Sequence, residues 1–228
     1  MMDIKKKIRQ ALEANDLAAV VDMAAQDRRV MSQLVRLAYD KETLAGWRAI
    51  LAAGLAARRL IASEADFLRE TCRKLLWSLT DESGGIGWSA PEILGEIVSA
   101  DPKRFMDIIP LIASVYEIEE ETFRPGVLYA LCRIAEKNPE LAASYQKIII
   151  LSLTDKEPMV RIRGIELAKL LWPWSRTSNC WSGEYCERIA HAISSLSIDH
   201  GEAWIYRGEG FHSVLVSEAS RLAYKLIG

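Results

Sequence analysis

The chain has 228 residues, 50% of them hydrophobic and 26% charged, a balance that excludes an intrinsically disordered polymer and supports a continuous core. Its 29 basic and 31 acidic residues leave a formal charge of −2, which excludes a whole-protein field for gathering nucleic acid or anionic lipid. No apolar run approaches the roughly 20 residues of a membrane span, and the charged start lacks the apolar stretch and cleavage site of an export signal. A cytoplasmic location is therefore expected, and with it four reduced cysteines, of which Cys72 and Cys132 sit among apolar helix residues and read as core.

At the N-terminus Ile4, Ile8 and Leu12 fall on one helical face, so Lys5, Lys6, Lys7 and Arg9 read as its solvated side rather than as a nucleic-acid or membrane patch. Apolar residues then recur at steps of three and four, as in Val30, Leu34, Leu37 and in Leu128, Leu131, Ile134, predicting about ten helices joined by short turns. Helix starts are predicted at Asp101-Pro102 and Asn138-Pro139, and reciprocal capping boxes at Ser63 with Asp66 and Ser89 with Glu92. Pro173 and the polar string through Asn179 predict a loop, followed by a helix over about 183–196. Residues 203–207 and 211–216 flank Gly208-Glu209-Gly210 as a β-hairpin, and a last helix is predicted over 217–227, with Leu222 and Leu226 four apart.

Laid over one another, the helical segments repeat. Ile86, Phe123 and Val160 are 37 residues apart in turn, Asp40 and Asp81 are 41 apart, and Asp81 and Asp155 are 74 apart, twice the shorter period. A period of that size made of helix pairs predicts stacked repeats whose core runs continuously from one pair to the next.

The stretch Leu151 to Arg161, with Asp155 six positions before Arg161, resembles the turn and second-helix start of a HEAT repeat. The resemblance spans about 28–171 and implies that Asp155 and Arg161 form a structural ladder, the basic group binding that acid or its neighbour in the next repeat. Arg124 occupies the matching place one period earlier, where position 118 is Ile, so its acid is expected from Glu119 or a neighbouring repeat. The fold expected is all-α: a right-handed α-solenoid of HEAT-like repeats in one domain over 1–228. Residues 1–27 are expected to form N-terminal cap helices, 28–172 the repeats, and 173–228 a C-terminal cap with a small β-hairpin and capping helix.

The second repeat departs from this pattern. Position 87, where the ladder would place Arg, is Gly, and Asp81-Glu82-Ser83-Gly84-Gly85-Ile86-Gly87-Trp88 leads into a Pro91-Glu92 helix start. Three glycines permit close backbone approach, and a helix start offers free N–H groups for an anion. The glycine spacing matches neither a dinucleotide fingerprint nor a P-loop, no Lys follows, and Asp81 and Glu82 repel phosphate. A tight turn and a partner- or ligand-binding loop both fit. The string resembles a segment of a group of bacterial HEAT-like proteins, a likeness that brings no activity with it. Trp47 and Trp88 are 41 apart, at equivalent places near second-helix starts, and are expected either as an aromatic platform or as packing between repeats. The candidate contact residues are Trp47, Asp81, Glu82, Ser83, Trp88, Arg124 and Arg163.

Signals for catalysis are thin. Cys180, Cys186 and His191 lack zinc-ligand spacing, no nucleophile elbow occurs, and the acids Glu117 to Glu121 read as a solvated turn. The function expected is a non-enzymatic scaffold, with no metal or cofactor, that presents the face lined by second helices to another protein. The alternative is a small-molecule or cofactor site walled by Asp81 to Trp88, for which HEAT-like repeats in bilin lyase subunits give only a fold analogy. Nucleic acid, as in HEAT-like glycosylases, and membrane are not expected partners. The predicted hairpin offers either a cap or an exposed edge with Trp204, Tyr206 and Phe211 as contacts.

Overall fold

The computed structural model describes residues 4–80, 87–118 and 121–227, and the chain divides into two compact units between Ala130 and Leu131. Asp81, Glu82, Ser83 and the glycines that follow them, together with Glu119, lie outside the described residues.

The N-terminal unit is helical. It contains α1 (Ile4–Glu13), α2 (Leu17–Gln26), α3 (Val30–Leu37), α4 (Leu44–Leu60), α5 (Ala65–Thr80), α6 (Ala90–Val98), α7 (Ile109–Ile118) and the first part of α8 (Arg124–Ala135). Ile8 and Leu12 of α1 are buried and Lys5, Lys6, Lys7 and Arg9 are exposed, as the periodicity requires, while Ile4 at the helix start is 41% exposed. α3 pairs with α4 and α5 with α6, and α4 packs on α6, so second helices meet second helices. Ile50, Leu94 and Ile97 are fully buried in this layer, each contributing about 1.5–3 kcal/mol relative to exposure.

Helix starts differ from the predicted ones. Asp16 accepts a hydrogen bond from the Ala19 N–H at 3.0 Å and Thr43 from the Gly46 N–H at 3.1 Å, so these residues cap α2 and α4. Ser63 instead donates to the Leu60 carbonyl, and Ser89, although at the capping position just before α6, spends its hydroxyl on the Ala38 carbonyl at 2.7 Å. Asp101 caps only a run of turns, accepting from the Arg104 N–H at 3.2 Å. α7 begins at Ile109 because Pro110, in the middle of one continuous helix, would lose its bond and clash with the preceding turn.

The C-terminal unit continues with α9 (Pro139–Ala142), α10 (Gln146–Leu153), α11 (Pro158–Ser178), α12 (Gly183–Ser195), β1 (Glu202–Arg207), β2 (Gly210–Leu215) and α13 (Val216–Ile227). Pro139 stands at the first position of α9, but Asn138 turns its amide to Glu140 instead of capping the helix. The loop predicted at Pro173 is a correction: α11 runs through it and ends at Ser178, with Asn179 left-handed at φ 52. Burial of Leu171, Trp172 and Ser175 on the inner side outweighs the hydrogen bond lost at Pro173, which costs about 3 kcal/mol. Trp172 meets Trp181 edge-on, and the Trp181 indole N–H donates to the Ala143 carbonyl at 2.9 Å.

The predicted hairpin forms. Arg207 pairs with Gly210, leaving Gly208-Glu209 as a two-residue turn, and Gly208 carries the positive φ of +60° that such a turn needs at its first position. β1 lies on α11, and α13 packs on α11 and α12.

Candidate interaction face

The distinctive polar feature of the N-terminal unit lies on its second helices. Glu92 and Glu96 stand one turn apart on α6, hence on one side of it, and are 3% and 0% exposed. Buried carboxylates are tolerated only with partners. Glu92 Oε1 lies 2.9 Å from Lys41 Nζ, which also donates to the Trp88 carbonyl at 2.7 Å. Glu96 Oε1 accepts from the Tyr129 hydroxyl at 2.6 Å, and its Oε2 lies 3.8 Å from Arg58 Nη2. Among the described residues Glu92 Oε2 is buried without a hydrogen-bond partner, an unmet acceptor that costs about 1–3 kcal/mol. The carboxylate occupies the space a side chain at position 126 would need, since a Cβ on Gly126 would stand 2.6 Å from Oε2.

These contacts fix the turn that carries Trp88. Lys41 and Ser89 fasten the turn after α3 to the turn before α6, and Trp88 stands 43% exposed at the edge of that junction. Trp47 behaves differently. It lies inside α4, three residues past the helix start, and is 8% exposed with its ring edge-on to Tyr129 at 5.3 Å. Trp88 precedes its helix, in the short 3-10 turn Gly87–Ser89, which leaves its ring outside the packed layer. Of the two alternatives, Trp47 follows the packing one and Trp88 stays an exposed ring, so the two do not form one open platform.

Arg124, at the start of α8, has Nη1 3.5 Å from Glu121 Oε1 and its guanidinium 5.5 Å from the Tyr116 ring centre. Glu121 belongs to the turn just before the helix, and that turn neighbours the one bearing Trp88. Arg163, expected as a contact residue, is corrected to a buried one: it is 8% exposed on α11, with Nη1 2.7 Å from Glu166 Oε2. The side chain of Asp155 closes its own turn, accepting from the Glu157 N–H at 2.9 Å. Arg161 donates to the carbonyls of Asp155 and Lys156 and lies 2.8 Å from Asp199 Oδ2, so its acid is the one 38 residues on.

Lys41, Arg58, Glu96 and Tyr129 carry no motif that singles them out from sequence, and Glu92 reads from sequence as half of a capping box rather than as a buried ion-pair partner. The signal present was the pair of acids one turn apart in the otherwise apolar Ala90–Val98 helix. A second series was also missed. Arg28 pairs with Glu64 and lies over the Phe67 ring, and Arg69, 41 residues on, pairs with Asp107 and lies over the Phe105 ring.

Among the described residues no three His, Cys, Asp or Glu side chains come together to hold a metal ion, and no helix is long and apolar enough to cross a membrane. Cys72 is buried, and desolvation pushes its thiol up to about 12. Cys132 is buried and raised for the same reason.

Comparison with solved structures addresses the fold directly. The designed armadillo repeat protein YIII(Dq)4CqI aligns over 99% of this chain and 93% of its own, with a TM-score of 0.53 at 15% identity. The fold is that of a HEAT/armadillo-type helical repeat protein. A crystal structure of an engineered protein, Northeast Structural Genomics Consortium target OR329, aligns over 99% of this chain and 97% of its own, with a TM-score of 0.52 at 15% identity. The archaeal HEAT-like repeats protein from Thermococcus onnurineus NA1 aligns over 100% of this chain and 98% of its own, at 14% identity and a lower TM-score of 0.42. No protein-family model and no curated protein matches the chain. The repeat fold supplies surfaces; the side chains on them decide use.

Proposed function

We propose that the protein is a non-enzymatic scaffold that binds another protein through the second-helix side of its N-terminal unit, with Trp88 as the anchor. One observation carries the reading: a 43% exposed tryptophan on a turn held by Lys41, whose ammonium bonds both the Trp88 carbonyl and the buried Glu92. Aromatic rings supply much of the energy at protein interfaces, and a ring on a turn fixed in advance loses little further freedom on binding. Arg124 and the segment Asp81 to Ser83 complete the proposed contact surface. Trp47 supports it from beneath, through Tyr129 and Glu96.

Capture from lysate of the source cell, compared between variants, tests this. Trp88→Ala should weaken binding of a defined partner by about 30-fold or more, the scale of an interface hot spot, with an unchanged circular dichroism spectrum. Trp77→Ala, at a ring 70% exposed on α5, should leave binding unchanged. Trp47→Ala should lower stability by about 3 kcal/mol, as expected for a buried aromatic. Equal capture by wild type and Trp88→Ala, or loss of helical signal in that variant, would contradict the reading.

A further inference from the structure

Helix α13 buries one side and leaves a second apolar stripe open. Val216, Ser220, Ala223 and Ile227 are buried where it packs on α11 and α12. Leu222 and Leu226, one turn apart and turned away from that contact, stand 61% and 63% exposed. Ala219, one turn before Leu222, carries the stripe into a hollow of about 610 Å³ whose buried apolar wall is Ile165 and Val214. Two adjacent leucines in water beside an apolar hollow make a patch, unlike the scattered single residues that surfaces ordinarily expose.

The charges beside the stripe say what fits it. Around the hollow Lys169 and Arg207 balance Glu166 and Glu218, so the surface selects neither an anionic nor a cationic partner. Glu218 and Lys225 lie two turns apart on one flank of the stripe, both exposed, and among the described residues neither forms an ion pair. Glu218 stands four residues before Leu222 and Lys225 three after it. A second α13 running in the opposite direction across Leu222 therefore sets each acid opposite the other copy's lysine. Running in the same direction, it would set acid against acid and lysine against lysine. Charges flanking an apolar seam choose partner and orientation in this way, and a patch complementary to itself is what a two-fold dimer requires.

We propose that the protein forms a two-fold dimer through α13. The two helices cross antiparallel at Leu222, Leu226 of each copy covers Ala219 and the hollow of the other, and Glu218 of each pairs with Lys225 of the other.

Sedimentation of the full chain tests this, over a concentration range of about 1 to 100 μM, where a seam of this size associates. The wild type should shift from monomer to dimer as concentration rises. Leu222→Ser should weaken the dimer by about tenfold or more, because the loss is felt once in each copy, with an unchanged circular dichroism spectrum. Glu218→Lys and Lys225→Glu, at exposed positions, should each weaken self-association, since like charges then face each other. An equimolar mixture of those two variants should recover the dimer, because every facing pair is again of opposite sign. A monomer throughout, a dimer indifferent to Leu222→Ser, or charge variants that associate no better mixed than alone would overturn the proposal.

Discussion

Glu166 shows how one side chain can be read through its partners. Its carboxyl is held below the ordinary range by Arg163 and Arg207 despite its burial, so its folded pKa lies below its unfolded value near ~4.3. The sign follows. Such a group stabilises the fold above its unfolded pKa, and that contribution disappears as pH falls through the folded pKa. Glu166→Gln should cost about 2 kcal/mol near pH 7, because it removes the charge that Arg163, 8% exposed, and Arg207 both engage. Urea unfolding should show the gap between wild type and variant closing as pH falls below about 4, where the wild-type carboxyl becomes protonated and neutral like the amide. A gap unchanged by acidification would contradict this account of the triad. At this scale the sequence was only partly legible. Spacing picks out Arg161 and Asp155, but the acid that Arg161 engages is Asp199, beyond the stretch of the chain in which the repeat motif reads. Arg163 reads from sequence as a contact residue and Trp47 as either platform or packing, because nothing in a one-dimensional pattern separates a buried Arg with a local Glu partner, or a buried ring beside Tyr129, from an exposed one.

Helices reveal the physics of close approach. α6 and α8 meet where a Cβ on Gly95 would stand 2.4 Å from Ala130 Cα, a backbone atom that cannot move aside cheaply. Alanine is the better helix former by up to about 1 kcal/mol, but overpacking against a backbone costs about 1–3 kcal/mol. Gly95→Ala should therefore destabilise the protein, measured as a lower urea midpoint with unchanged slope. Stabilisation would contradict the packing described. The helix pairs and the hairpin were legible because apolar spacing and the Gly208 turn are local. The breaks were harder. Pro173 reads as a stop by local rules, yet packing of Trp172 and Ser175 carries α11 past it. Asp101-Pro102 reads as a start, yet Pro110 delays α7. Ser89 reads as a cap, yet its hydroxyl bonds Ala38, 51 residues back. At Pro173 and Ser89 tertiary packing overrides the local preference, while at Asp101-Pro102 a second proline does.

At the scale of the molecule, the period of about 37 residues returns as the spacing of its polar ties. Arg28 meets Glu64 across 36 residues, Arg69 meets Asp107 across 38, Arg161 meets Asp199 across 38, and Trp181 bonds the Ala143 carbonyl across 38. Within each unit these ties join one repeat to the next. The side chains that make them are placed by three-dimensional neighbours, which is why the period was visible in the sequence and most of the ties were not. Site-specific photocrosslinking tests the central claim most directly, with a benzophenone amino acid placed at position 88 or, as the control, at position 77, in cells that make the protein. The account predicts one discrete protein adduct from position 88 and none from position 77. No adduct from position 88, or the same products from both positions, would contradict it.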